Sequence, residues 1–236
     1  MKKIPALVTV LLGGLLVLAP VQAAGGGGSF LPPGAIDLPA VLPPPPAAGS
    51  VAALGDLETV RQVQAARTPA DVAWAKLIEK DQVFNHAGVL GPWFTRENLP
   101  VTAEFLRRVT EDMFAASKGA KGIFPRPRPP RADPAVRPCV ELSDSGSYPS
   151  GHAMQAHVWA AVLGDIFPDR QAALRARAQQ AAWGRVVGGV HYPSDLVGGR
   201  LLAEAIVAAL RQSPAYRAGL EKCRAEAAPF LLQRAA

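Results

Sequence analysis

The 236-residue chain is 49% hydrophobic and 19% charged, with a formal net charge of +6, a balance that suits one domain with a substantial core. Its positive charge is dispersed, and no long basic run interleaved with aromatics is present, which speaks against nucleic-acid binding. Beyond the first two dozen residues no stretch is apolar enough to span a membrane, because Gln155, His157 and Asp165 interrupt the run from Ala153 to Phe167.

Residues 1–23 read as a secretory leader. Lys2 and Lys3 form a basic start, Leu7 to Leu18 is apolar apart from Thr9, Gly13 and Gly14, and Val21-Gln22-Ala23 supplies a small-x-small cleavage site. An uncleaved anchor is the alternative, although such runs are usually shorter than a spanning helix. Cleavage removes two lysines and no acids, so the charge of +6 becomes +4. The expectation is a periplasmic or secreted protein with no stable membrane insertion once the leader is gone. In an oxidising compartment Cys139 and Cys223 can pair, which would close a long loop and stabilise the fold by roughly 4 kcal/mol on the chain-entropy model. Two free buried thiols are the alternative.

Residues 24–50 form a Gly/Pro-rich arm, with Gly25 to Gly28 reading as flexible and Pro43 to Pro46 as extended polyproline. Apolar flanks suggest that the arm lies against its own protein rather than serving a partner. Residues 51–236 then read as a single helical domain. Thr68-Pro69-Ala70-Asp71 is a helix start signal. Phe105, Leu106, Val109, Met113 and Phe114 recur at helical spacing, and Glu111 and Asp112 suit a solvated face, although both lie near Lys121 in sequence. Pro125 to Arg137 holds five prolines and four arginines and is expected to be a loop. His152 to Phe167 reads as a buried helix, Asp169 to Val187 as a more exposed one, and Pro193-Ser194-Asp195 opens an almost wholly apolar stretch through Leu210. Strand-like alternation is scarce. The predicted fold is an all-α, single-domain helical bundle.

Three fragments carry chemistry: Lys121-x6-Arg128-Pro129, Tyr148-Pro149-Ser150-Gly151-His152 and Arg185-x5-His191-x3-Asp195. A phosphoryl group in transfer spreads negative charge over its equatorial oxygens, and without a metal that charge must be met by Lys, Arg and backbone N–H groups. Lys121, Arg128 and Arg185 provide the cations. Ser150 and Gly151 stand where the buried helix should begin, so free amides there favour an anion, and the Ser150 hydroxyl also suits capping. His191 and Asp195 lie four apart; a carboxylate accepting from one imidazole nitrogen leaves the other free to attack phosphorus. His152 would then protonate the leaving alkoxide and afterwards activate water. The two imidazoles need opposite protonation states, which suggests activity on the acidic side of neutral. His157 reads as a core histidine, and His86 sits in a turn without an obvious partner.

These fragments resemble the tripartite signature of the superfamily that contains type 2 phosphatidic acid phosphatases, bacterial nonspecific acid phosphatases and vanadium haloperoxidases. One departure is Gly184, where the third fragment usually has serine. Within that superfamily the chain looks most like class A bacterial acid phosphatases, through Leu42–Ser50 and Gly146–His152. The resemblance implies an all-helical fold of the acid phosphatase and vanadium haloperoxidase type, action on small-molecule phosphate monoesters, no cofactor or metal, and frequent homo-oligomers. It implies phosphate binding by Lys121, Arg128, Ser150, Gly151, His152 and Arg185, with His191 as nucleophile, Asp195 as its orienting partner and His152 as general acid. Phosphate transfer to acceptors other than water also belongs to this expectation. A vanadate-dependent haloperoxidase and a lipid phosphate phosphatase are the alternatives that share the motif. A serine hydrolase built on Ser150 lacks the Gly-x-Ser-x-Gly elbow and leaves the cations without a task.

Overall fold

The computed structural model describes residues 29–232; the leader read in residues 1–23 lies outside the described residues. Within them every regular element is helical and there is no strand. The chain enters along the arm and makes α1 (Leu38–Val41), capped by Asp37. Ser50 caps α2 (Val51–Ala66). Thr68 and Asp71 open α3 (Pro69–Glu79) as a reciprocal capping box, each side chain accepting from the other's backbone N–H. A 3-10 turn over Val83–His86 leads into α4 (Ala87–Leu90). The amphipathic α5 (Pro100–Ala116) buries Phe105, Leu106, Val109 and Met113, whereas Phe114 faces outward and is 52% exposed. Then come α6 (Ala120–Ile123) and α7 (Pro129–Ala132). The proline-rich stretch is thus not loop throughout, because paired prolines at the first helical turn lack only N–H groups that would be unpaired there anyway.

Four long helices complete the bundle: α8 (Gly151–Ile166), α9 (Gln171–Val187), α10 (Pro193–Gln212) and α11 (Pro214–Leu232). The central one is α8, which is apolar on nearly all sides and packs chiefly against α9 and α10. Glycines set how close α10 comes. A Cβ on Gly198 would fall 2.5 Å from the Tyr148 ring, and one on Gly199 would fall 2.5 Å from the Ser150 carbonyl. Close approach therefore presses the start of α10 against the turn that opens α8. The arm joins the same packing through buried Leu42 and a 2.6 Å hydrogen bond from the Tyr148 hydroxyl to the Pro43 carbonyl.

Two expectations are corrected here. Cys139 and Cys223 are free, because they belong to different regions. The Cys139 thiol sits 3.7 Å from the Val187 carbonyl beside a small satellite cluster, while Cys223 is buried in the main core on α11. Asp112 is not on a solvated face. It is buried and accepts from the Ser29 hydroxyl and from the backbone N–H groups of Phe30 (2.6 Å) and Leu31 (3.2 Å).

Candidate active site

At the junction of α8, α9 and α10 the three charged sequence fragments meet. His191 precedes α10 by two residues, and Asp195 stands in the first turn, buried, with its carboxylate capping the Tyr192 N–H at 2.9 Å. The same oxygen, Oδ2, faces His191 Nδ1 at 3.1 Å and accepts from the Ser147 hydroxyl. His191 Nε2 lies 3.1 Å from Arg128 Nη1. A guanidinium only donates, so Nε2 carries the lone pair and Nδ1 the proton, which it gives to Asp195. Burial, reinforced by the charges of Arg128 and Lys121, pushes the His191 pKa down to about 3. The imidazole is neutral, with its Nε2 lone pair facing Arg128. Burial alone would raise the Asp195 pKa, but the hydrogen bonds from His191 and Ser147, with the charge of Arg126, hold it below the usual carboxylate range.

Arg128 is anchored by carbonyls, with Nη1 to Val190 at 2.9 Å and Nε to Ser145 at 2.9 Å. Lys121 donates to the Gly146 and Pro149 carbonyls, each at 2.8 Å, and so braces the turn that contains Ser147 and Ser150. Burial and the neighbouring Arg128 lower its pKa to about 8. Ser150 caps α8 by accepting from the Ala153 N–H, and its own N–H donates to the Asp195 carbonyl at 3.0 Å. That bond ties the two helix starts together.

Arg185, near the end of α9, is buried, and its Nε and Nη1 have no hydrogen-bond partner among the described residues. A guanidinium in that state is aimed at something anionic, since an unpaired buried charge is costly. Burial lowers its pKa to about 10. His152 lies close enough for Arg185 to act on it: burial, then the Arg185 charge, takes its pKa down to about 4. His152 Nε2 meets the Glu79 carbonyl at 3.2 Å, so that nitrogen holds a proton and Nδ1 is left to exchange one. Both imidazoles are therefore neutral above about pH 4 in the free enzyme. A cavity of about 280 Å³ opens beside Lys121, Ser150 and Gly151 and is walled by Phe114, Met154 and Leu202.

Two further residues, His86 and Gly184, have clear surroundings. His86 is buried, with Nδ1 2.9 Å from the Val83 carbonyl and Nε2 3.3 Å from Arg177, away from the cluster. A Cβ at Gly184 would meet Trp74 and Ile78 at 3.4–3.5 Å, so a side chain there points toward α3.

Three residues at the site were not singled out from the sequence. Ser147 lies inside a fragment already quoted, Arg126 two residues before Arg128, and Asp56 far away on α2. Arg126 Nη1 donates to Asp195 Oδ1 and to the Ser194 hydroxyl, both at 2.7 Å, and Nη2 donates to Asp56 at 2.8 Å. The alternation Pro125-Arg126-Pro127-Arg128 is the signal that could have found Arg126, because fixed backbone aims both arginines.

The family model described as the PAP2 superfamily matches residues 109–218, which include every one of the three fragments. A non-specific acid phosphatase of Providencia stuartii is 32% identical over 207 residues, 81% of each chain. This chain belongs to the non-specific acid phosphatases of the PAP2 superfamily. An acid phosphatase of Zymomonas mobilis is 29% identical over 78% of this chain and 73% of its own. A non-specific acid phosphatase of Salmonella typhimurium is 32% identical over 58% of this chain and 57% of its own. A solved bacterial vanadium-dependent iodoperoxidase shares the fold, with a TM-score of 0.59 and 17% identity over 73% of this chain. The match spans about half of that longer chain, 52%.

Proposed function

We propose that this acid phosphatase hydrolyses small-molecule phosphate monoesters through a phosphohistidine on His191. The observation that carries the reading is the neutral, Asp195-oriented imidazole whose Nε2 faces the Arg128 guanidinium at 3.1 Å. A bound phosphoryl group takes over Arg128 as a partner and engages the unpaired Nε and Nη1 of Arg185, with Lys121, the Ser150 hydroxyl and the amides of Gly151 and His152 completing the cradle. His191 Nε2 then forms the N–P bond as the ester P–O bond breaks. The imidazole becomes cationic, and the Asp195 carboxylate offsets that charge.

His152 Nδ1 gives its proton to the departing alkoxide, then takes one from the water that cleaves the N–P bond. In the empty site this imidazole is neutral down to about pH 4. The incoming phosphate supplies the negative charge that raises it, so the substrate charges its own acid, and mildly acidic solution favours the step. The cations and amides suffice to balance the transferred charge, which supports turnover without a metal. An acceptor alcohol in place of water gives phosphotransfer by the same geometry.

We further assign residues 1–23 as a leader that directs the chain to the periplasm or outside the cell, residues 24–50 as an arm and residues 51–236 as the catalytic domain. Among the described residues no helix is long and apolar enough to cross a membrane. The relatives that match most of this chain at 29–32% identity are acid phosphatases, whereas the iodoperoxidase matches at 17%, which favours this reading over a vanadate-dependent haloperoxidase.

The test is direct. His191→Ala is expected to abolish hydrolysis of an aryl phosphate. His152→Ala is expected to accumulate a phosphoenzyme that survives alkali and is lost in acid. Wild-type turnover by His191→Ala removes the nucleophile.

A further inference from the structure

We propose that Arg126, backed by Asp56 and Ser194, is a positioning residue that holds the Asp195 carboxylate in the orientation His191 needs. The inference rests on the assignment of His191 as nucleophile, and it concerns residues the three fragments leave unspecified: Arg126 and Ser194 at their open positions, and Asp56 outside them.

The geometry divides the labour between the two oxygens of Asp195. Oδ2 serves His191 Nδ1, the Ser147 hydroxyl and the Tyr192 N–H. Oδ1 faces Arg126 Nη1 at 2.7 Å. A carboxylate fixed through one oxygen alone still pivots about its terminal bond; one fixed through both does not. Arg126 is itself fixed on three sides. Nη2 reaches Asp56 at 2.8 Å, Nη1 also bonds Ser194, and the guanidinium carbon lies 3.9 Å from the centre of the Tyr192 ring. Asp56 in turn accepts from the Ser194 hydroxyl and from its N–H at 3.2 Å, so it grips the first turn of α10 that bears Asp195. The planar fork is what allows one side chain to span two carboxylates, which a lysine ammonium does not reproduce.

Stability alone accounts poorly for this arrangement. Arg126 and Asp56 have side chains only 9% exposed and Asp195 has none, and a buried ion cluster is often matched by apolar residues of the same volume. A cluster that costs desolvation and lies one hydrogen bond from the reacting dyad is better explained by orientation.

Around Asp195 stand His191 on its own segment, Lys121, Arg126 and Arg128 from the segment before α7, Asp56 from α2 beyond Arg126, and the Tyr148 and Tyr192 phenols. Removing the Arg126 charge takes away one of the groups that keeps Asp195 ionised, so its pKa rises. The acid limb of the rate profile then moves to higher pH.

The experiment compares Arg126→Gln, Arg126→Lys and Asp56→Asn with the wild type in kcat, KM and the pH profile of kcat/KM, using an aryl phosphate. Arg126→Gln is expected to lower kcat by about 10–100-fold, as loss of a supporting partner does at other sites, with KM changed less than about threefold. Its acid limb should move to higher pH. Arg126→Lys restores part of both effects, and Asp56→Asn shows the same pattern more weakly. A purely structural role predicts lower melting temperature with unchanged kcat and acid limb per folded molecule. That result in Arg126→Gln overturns the inference; should this variant not fold, the same result in Asp56→Asn overturns it. His191→Ala, run in parallel, reports on the nucleophile alone, so an active His191→Ala sinks the mechanism while an inactive one leaves the Arg126 result to be judged by itself.

Discussion

Arg185 illustrates how a single side chain reveals what it waits for. Its two unpaired nitrogens are buried, and each lost hydrogen bond to a charged group is worth about 1.5–3 kcal/mol. Arg185→Ala is therefore expected to weaken inhibition by inorganic phosphate by roughly 10²–10⁴-fold, read as the inhibition constant against an aryl phosphate. The same replacement removes the charge that helps depress His152, so the His152 pKa in the empty site rises toward its ordinary value. The cations were legible in the sequence because their chemistry permits few other uses beside two histidines and a helix start. Asp56 was not legible. On an exposed-looking amphipathic helix nothing local distinguishes a carboxylate that meets solvent from one that reaches an arginine 70 positions later. Spacing also does not show that both imidazoles are driven toward the neutral form in the free enzyme, since that comes chiefly from burial, a property of packing.

Among the elements, α8 and α10 depend on each other through glycine. Gly198 lets α10 lie against Tyr148, whose backbone leads directly into Pro149-Ser150-Gly151. Gly198→Ala places a methyl group 2.5–2.7 Å from ring atoms that are themselves buried and bonded to the arm. Overpacking of this kind costs about 1–3 kcal/mol. The melting temperature is expected to fall, and phosphate affinity with it, because relief requires the turn that begins α8 to move. The helices themselves were easy to place from periodicity and capping, as the Thr68–Asp71 box shows. The two short turns, α6 and α7, were hidden by their brevity and by prolines that elsewhere break helices. Phe114 matched the buried stripe of α5 by spacing but is half exposed, at the edge of the cavity it lines with Met154 and Leu202.

For the molecule as a whole, buried and half-buried imidazoles set the response to acid. His86, His152 and His191 are held, chiefly by burial, at about 4, 4 and 3 instead of 6.5. The unfolded chain binds more protons than the folded one between pH 6.5 and those values, so stability is full above 6.5 and is lost as pH falls through the window. The empty enzyme is thus expected to melt at a lower temperature at pH 4.5 than at pH 7. Phosphate at tenfold its dissociation constant should restore about 1.4 kcal/mol, measured as a melting shift at each pH. A flat melting temperature from pH 7 to 4.5 would show that these histidines are not neutral when folded.

The grip of Asp112 on Ser29, Phe30 and Leu31 sets a boundary for anyone trimming or tagging the chain. Phe30 packs against Phe105 and Tyr216, with Arg108 across its other face, so these three residues close the end of the bundle formed by α5 and α11. A version starting at Ser29 keeps that seal. One starting at Pro32 strips a buried carboxylate of its donors and opens an aromatic cavity where Phe30 packs against Phe105 and Tyr216. The natural place for an affinity handle is therefore upstream of Ser29 or at the opposite terminus.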